Sequence, residues 1–97
     1  MELPLQITWR GFSRSDGVEA AIRDAVNKLQ HVHNHIISCR VVVEQVDHHK
    51  RRGRQYAVRL DIRVPGTEIA INHEHDEDVY VAMRDAFADA RRKLDKS

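Results

Sequence analysis

The strict alternation of large and polar side chains between positions 56 and 64 is the sequence feature that most constrains the fold. The large side chains are those of Tyr56, Val58, Leu60, Ile62 and Val64, and Ala57, Arg59, Asp61 and Arg63 stand between them. Successive side chains of a strand point to opposite faces of a sheet. The segment is therefore predicted to be a strand with one face in a core and the other in water.

Three further segments show the same two-residue period. They contain Leu3, Leu5 and Ile7; Ile37, Cys39, Val41 and Val43; and Ile69 and Ile71, continuing to about His73. Pro4 has no amide hydrogen, which places the first strand at a sheet edge. Pro65-Gly66 predicts a tight turn between the third and fourth strands.

Two segments repeat apolar residues every three or four positions, as an amphipathic helix does. The first stripe comprises Val18, Ile22, Ala25, Val26, Leu29 and Val32, with Ser15 as its predicted N-cap. The second comprises Val79, Met83, Ala86, Phe87, Ala90 and Leu94. The acidic block Glu74, Asp76, Glu77 and Asp78 is predicted to stabilise the positive end of the second helix dipole.

This order of elements predicts an α+β domain of the type β-α-β-β-β-α. The first two strands should be parallel because a helix connects them, and the last three should form an antiparallel meander. Both helices are expected on one face of a four-stranded mixed sheet. The other face would carry Arg40, Glu44, Arg59, Asp61 and Arg63 in water.

Composition excludes several classes of protein. Cys39 is the single cysteine, which rules out an internal disulfide and suits a reducing, cytoplasmic compartment. The longest apolar run, residues 79–83, has five residues, whereas a membrane span needs about 20. The sequence has no nucleophile elbow, phosphate-binding glycine loop or paired-histidine zinc motif. We therefore predict no enzyme, no catalytic residue, no cofactor, no small-molecule substrate and no membrane partner.

Histidine is frequent, with seven residues in the chain. The spacing His31-x-His33-x-His35 would present imidazoles to zinc or copper if that segment were extended. His73-x-His75 would form a same-face pair if the last strand reached that far. Neither group includes the cysteine or carboxylate partners of a closed structural site, so no metal site is predicted. A metal-responsive protein stays an alternative.

Positive charge is concentrated in particular segments, although the net charge is only +1. Residues 48–54 are predicted to form a hairpin loop that carries Lys50, Arg51, Arg52 and Arg54 without a carboxylate. Four neighbouring cations favour a polyanionic partner, bound through salt-dependent phosphate contacts. On the second helix, Arg84 and Arg91 fall on one edge of the apolar stripe, and Arg92 and Lys96 on the far side. Because aromatic residues are few, recognition of backbone and shape is favoured over base stacking.

Five short motifs along the chain together indicate a protein family. They are Gln6-Ile7-Thr8, Asn27-Lys28-Leu29, Val41-Val42-Val43-Glu44, Asp78-Val79-Tyr80-Val81-Ala82-Met83 and Arg92-x-Leu94-x-Lys96. In their order and spacing the chain resembles the ribosome hibernation-promoting factors and ribosome-associated translation inhibitors, which carry a sigma-54 modulation / S30EA-type domain. The resemblance implies a fold related to double-stranded-RNA-binding domains. It also implies a place in the decoding channel of the small ribosomal subunit, where such proteins silence ribosomes under stress.

The resemblance carries over Lys28, Arg92 and Lys96 as RNA contacts. The chain departs from the family at Asp89, where a lysine is usual, and at Arg84, where an acid is frequent. We therefore expect part of the basic surface to lie on the hairpin rather than on the helices. The predicted RNA-binding residues are Arg23, Lys28, Lys50, Arg51, Arg52, Arg54, Arg84, Arg91, Arg92, Lys93 and Lys96.

The predicted function is that of a single ribosome-binding domain over residues 1–97, either a short-form protein or the N-terminal part of a longer one. Its expected partner is the small ribosomal subunit with its 16S rRNA, and its expected effect is inhibition of translation. Two alternatives are a free double-stranded-RNA module and a regulatory protein-interaction module that keeps the fold without binding ribosomes. Promotion and prevention of ribosome pairing are both open at this point.

Overall fold

The computed structural model describes residues 3–46 and 55–96, with backbone alone for residues 73–76. Its elements are β1 (Leu5–Arg10), α1 (Asp16–Val32), β2 (Ser38–Val46), β3 (Gln55–Val64), β4 (Thr67–Asp76) and α2 (Val79–Lys96). This order confirms the predicted α+β class. The predicted basic loop, residues 48–54, lies outside the described residues.

The four strands form one sheet in the order β1-β2-β3-β4. β1 and β2 are parallel, whereas β2–β3 and β3–β4 are antiparallel, as the sequence predicts. Pro4 directly precedes β1, which is an edge strand. Gly66 has a φ of 86° in the two-residue turn from β3 to β4, a conformation that glycine adopts without strain.

The core lies between the inner face of the sheet and both helices. Its fully buried side chains of largest volume are Ile22, Leu60, Ile62, Leu94, Val41, Val43 and Val58. Because α1 and α2 share this core, they cover the same face of the sheet, and the opposite face carries mostly polar and charged side chains. Neither helix, in the part of the chain that the structure describes, is long and apolar enough to cross a membrane.

Around the connection from α1 to β2, the observed burial of side chains differs from the predicted burial. Val32 and Ile37 are 51% and 48% exposed, although both were expected to face the core. Ile36 is buried instead. The reason is that α1 ends at Val32 and β2 begins at Ser38, so the residues between them follow neither the helical nor the strand period.

The acidic block before α2 lies only partly at the start of the helix, whereas all of it was predicted to lie there. β4 extends to Asp76, so the backbone of Glu74 and Asp76 belongs to the strand and not to a helix cap. A bulge between the pairs that Tyr56 and Val58 form with β4 accompanies this extension. Of the acidic block, Asp78 performs the predicted role, since its Oδ1 accepts a hydrogen bond from the Tyr80 amide at 2.9 Å.

Candidate nucleic-acid interface

α1 and α2 lie side by side and leave a shallow groove between them, which we call the interhelical groove. It has a volume of about 270 Å³, and Lys28, Arg84 and Arg91 are its cationic residues. Its other lining residues are Ala25, Leu29, Val32, Phe87 and Ala88. No carboxylate is among its described lining residues. A cluster of cations with no carboxylate among the described lining residues is a surface to which a polyanion is attracted.

Arg84 and Arg91 stand two helical turns apart on the edge of α2 that faces α1. Both side chains are exposed, and neither forms an ion pair with another described residue. Their guanidinium groups are therefore available for bidentate contacts with phosphate oxygens. The helical spacing in the sequence predicts this common edge correctly, and the packing of α1 adds Lys28 to it.

Lys28 carries an ion pair that a ligand could replace at little cost. Its Nζ lies 3.1 Å from Asp24 Oδ2, and the two side chains are 79% and 66% exposed. Ion pairs this exposed contribute about 0–1 kcal/mol to stability. Exchange of Asp24 for a phosphate as the partner of Lys28 is therefore not opposed by a large energy.

The opposite edge of α2 forms a second cationic surface beside β4. Arg92, Lys93 and Lys96 line a groove of about 310 Å³ there, together with Asp89 and β4 residues Ala70, Ile71 and Asn72. Arg92 forms an ion pair with Asp89, so the acid that departs from the family pattern neutralises a predicted RNA contact. Lys93 Nζ donates a hydrogen bond to the Ala70 carbonyl oxygen at 3.3 Å.

Arg23 does not share either groove. Its Nε lies 3.6 Å from Glu19 Oε2, and that carboxylate also accepts a hydrogen bond from Arg14. Arg23 borders a small hollow beside β1 rather than the interhelical groove. The structure thus groups six of the predicted residues into two sets of three and leaves Arg23 apart. Lys50, Arg51, Arg52 and Arg54 lie outside the described residues.

The open face of the sheet also carries charge, but there each arginine has a carboxylate beside it on the same strand or on the next one. Arg40 is opposite Asp61, and the Nε of Arg59 lies 3.5 Å from Asp61 Oδ2. Two further opposite-charge neighbours are Arg10 beside Glu44 and Arg63 beside Glu68. This pairing leaves the face nearly neutral, so it is a poorer surface for a polyanion than the interhelical groove.

Cys39 and the histidines are the remaining candidates for a reactive or metal-binding site. Cys39 faces the core, where burial, with a smaller contribution from Asp61, raises the pKa of its thiol to about 12. The extended conformation that would align His31, His33 and His35 for a metal is not adopted, because His31 lies within α1. His33 Nε2 lies 2.7 Å from Asp95 Oδ1. Among the side chains that the structure describes, which exclude those of residues 73–76, no group of three metal-ligating residues occurs.

These features define a small α+β protein whose helical layer carries a cationic groove and whose open sheet face sets arginines beside carboxylates. The profile of the sigma 54 modulation protein / S30EA ribosomal protein family matches residues 5–97, and the chain belongs to that family. The family comprises ribosome-associated proteins and is not a known family of enzymes.

Two solved structures illustrate the similarity in fold. A ribosomal subunit interface protein from Coxiella burnetii superimposes with a TM-score of 0.83 at 16% sequence identity, covering 97% of this chain and 96% of that one. The N-terminal domain of Thermus thermophilus Protein Y gives a TM-score of 0.72 at 14% identity, covering 99% and 98%. A comparison with curated proteins finds no match. At these identities the two structures establish the common fold.

Proposed function

We propose that the protein binds the small ribosomal subunit in its decoding channel through rRNA phosphates and thereby inhibits translation. Membership of a ribosome-associated family supports the ribosome as partner. The observation that carries the proposal is the interhelical groove, in which three cations converge and, among the described residues, only Lys28 has a carboxylate partner, the exposed Asp24. The protein acts by occupying space, as one domain in the cytoplasm, and no bond is made or broken.

The contacts are unequal because the cations differ in their local partners. Arg84, Arg91 and Lys96 form no ion pair with another described residue, so they reach phosphate without displacing a carboxylate. Arg23 and Arg92 must first leave Glu19 and Asp89. We therefore rank the first three cations, with Lys28, above Arg23 and Arg92 as determinants of affinity. Lys93 and the basic loop, residues 48–54, supply additional phosphate contacts.

Charge reversal in the interhelical groove tests this proposal. The double variant Arg84→Glu with Arg91→Glu removes two phosphate contacts and adds two repulsive charges, so affinity for purified small subunits should fall by about tenfold or more. Co-sedimentation through sucrose at two salt concentrations measures the change, and the wild-type complex should weaken as salt rises.

The matched control is Arg14→Glu with Arg63→Glu, which changes the net charge equally at exposed positions outside both grooves. It should bind small subunits within about twofold of wild type, by the same counterion argument. If both double variants lost binding equally, the change in net charge would explain the loss and the interhelical groove would not. Unchanged binding in the groove variant would remove the interhelical groove from the interface.

A further inference from the structure

Natural proteins usually keep an uncovered edge strand short. The edge strand β4 is long by comparison. It has 10 residues, whereas β1, the other edge, has 6 and is preceded by Pro4. Long edges are ready templates for another strand, and proteins commonly protect them with proline, charge or brevity. Along the described part of the chain, no further strand pairs with the outer side of β4.

The register identifies which backbone groups of β4 point outward. Val64 and Thr67 close a two-residue hairpin, so they form a hydrogen-bonded pair. Ile69 and Ile71 then also exchange hydrogen bonds with β3, and the alternate residue Ala70 directs its N–H and C=O to the outer edge. The hydrogen bond from Lys93 Nζ to the Ala70 oxygen confirms this direction independently.

The outer edge of β4 faces the second cationic surface of α2. Together, residues Ala70–Asn72 and the side chains Arg92, Lys93 and Lys96 form a single groove, which we call the β4 ledge. It contains three cations against one carboxylate, Asp89, and that carboxylate is held by Arg92. The β4 ledge therefore combines outward backbone groups with an excess of positive side chains.

We infer that the β4 ledge binds an extended acidic peptide segment as a fifth strand. The backbone of the segment would pair with Glu68 and Ala70, and its carboxylates would face α2. β-Strand addition of this kind draws affinity from main-chain hydrogen bonds and specificity from alternate side chains. The partner is a protein, and since Lys93 and Lys96 are also proposed to contact rRNA, the peptide and rRNA would compete for these two cations.

The spacing of the cations specifies the acidic pattern. Arg92 and Lys96 are four residues apart on α2, about 6 Å along the helix axis. Alternate residues of an extended strand are about 6.7 Å apart and point to the same face. For an added strand that runs alongside α2, carboxylates at every second position have nearly the spacing of the cations, while the intervening side chains would lie on the open face near Glu68 and are expected to be uncharged or basic.

Lys93 occupies part of the ledge in the unbound protein. Its bond to the Ala70 oxygen is exposed, so its replacement by a peptide amide exchanges one hydrogen bond for another at small net cost. The released ammonium group then becomes a partner for a carboxylate of the peptide. This side chain both covers the strand edge against non-specific pairing and favours an acidic partner.

A fluorescent seven-residue peptide with glutamate at its second, fourth and sixth positions, and threonine or valine elsewhere, tests the inference by anisotropy. A peptide of the same composition with glutamate at the second, third and sixth positions is the control ligand. The wild-type protein should bind the alternating peptide at least about tenfold more tightly. Lys93→Glu with Lys96→Glu should remove this preference, whereas Arg14→Glu should retain it.

Ala70→Pro separates strand addition from simple charge attraction. It removes an outward N–H while leaving the α2 cations and the hydrogen bonds between β3 and β4 in place. It should abolish peptide binding yet retain binding to small subunits, which distinguishes this surface from the proposed rRNA contact.

If Ala70→Pro unfolds the protein, hydrogen exchange in the wild type gives the same information. The Glu68 and Ala70 amides should become protected when the alternating peptide is added. Equal affinity for both peptides, or binding that leaves these amides unprotected, would overturn the inference. Protection by duplex RNA rather than by the peptide would also overturn it and make the ledge a nucleic-acid surface.

Discussion

At the scale of single residues, Gly11 and Gly66 have nearly the same backbone conformation in different surroundings. Their φ values are 81° and 86°. A Cβ atom on Gly11 would stand 2.6 Å from the backbone oxygen of Gln45, whereas one on Gly66 would meet no atom within 4 Å. Gly11 is therefore required for two reasons, backbone conformation and close approach, and Gly66 for one.

Gly11→Ala is predicted to reduce the free energy of unfolding by about 2–4 kcal/mol, since strain and a backbone clash act together. Gly66→Ala should cost about 1–2 kcal/mol, the price of the left-handed conformation alone. Urea unfolding followed by circular dichroism measures both. Equal losses in the two variants would show that the β2 backbone yields to the added methyl group at no cost.

Cys39 makes stability dependent on alkaline pH. Burial, and to a smaller extent Asp61, raises the pKa of its thiol from an ordinary 9.0 to about 12 in the folded protein. Between these values the unfolded chain loses the proton and the folded chain keeps it. The free energy of unfolding should therefore fall as pH rises above 9.0, by up to about 1.4 kcal/mol per pH unit from this group.

The variant Cys39→Ala isolates this effect from other groups that titrate at alkaline pH. Its stability should fall less steeply than that of the wild type over the unit above pH 9.0. Urea unfolding of both proteins across that interval gives the two slopes. Parallel slopes would mean that the thiol ionises equally easily in the folded and unfolded protein.

At the scale of elements, one side-chain contact links the ends of the two helices. His33, at the C-cap of α1, lies 2.7 Å from Asp95 near the end of α2, and the His33 side chain is 12% exposed. His33 and Asp95 are separated by 62 positions in the chain, so their contact restrains the helices that border the interhelical groove.

A double-mutant cycle of His33→Ala and Asp95→Ala should give a coupling energy of about 0.5–1 kcal/mol, a value kept small because half of Asp95 is in water. Chemical denaturation of the four proteins measures it. A coupling energy of zero would show that His33 stabilises α1 by packing alone. The same cycle measured on small-subunit affinity would show whether this contact also fixes the geometry of the interhelical groove.

At the scale of the whole molecule, the sheet face and the helical face differ in how their cations are placed relative to carboxylates, and not simply in how many cations they carry. The sheet sets its arginines beside carboxylates, whereas in the interhelical groove Arg84 and Arg91 have none in the described part of the chain and Lys28 has only the exposed Asp24. A protein with a net charge of +1 can therefore present one surface to a polyanion and keep the other nearly neutral. Under the proposed function, the helical layer faces rRNA and the sheet faces away from it.

The basic loop is the second part of this charge distribution. Replacing Arg51, Arg52 and Arg54 with Glu is predicted to weaken small-subunit binding and to reduce its salt dependence, because three phosphate contacts are lost. The thermal midpoint should stay within a few degrees of wild type, since the segment is predicted from sequence to be a polar loop and charge changes in such loops rarely unfold a domain. Unchanged affinity would exclude residues 48–54 from the interface.

The sequence alone determined the order of elements, the mixed sheet and the common edge of Arg84 and Arg91. These follow from local periodicity, because a strand repeats every two residues and a helix every 3.6. The sequence could not place Ile36 rather than Ile37 in the core, since an irregular connection has no period to extrapolate.

Tertiary packing decided the composition of the candidate surfaces. Lys28 joins Arg84 and Arg91 because α1 packs against α2, and Asp61 stands opposite Arg40 because the strand register places it there. The outward direction of the Ala70 backbone likewise depends on where the β3–β4 turn closes. Periodicity tells which face of an element a residue occupies, whereas its neighbours on that face come from distant parts of the chain and depend on long-range packing.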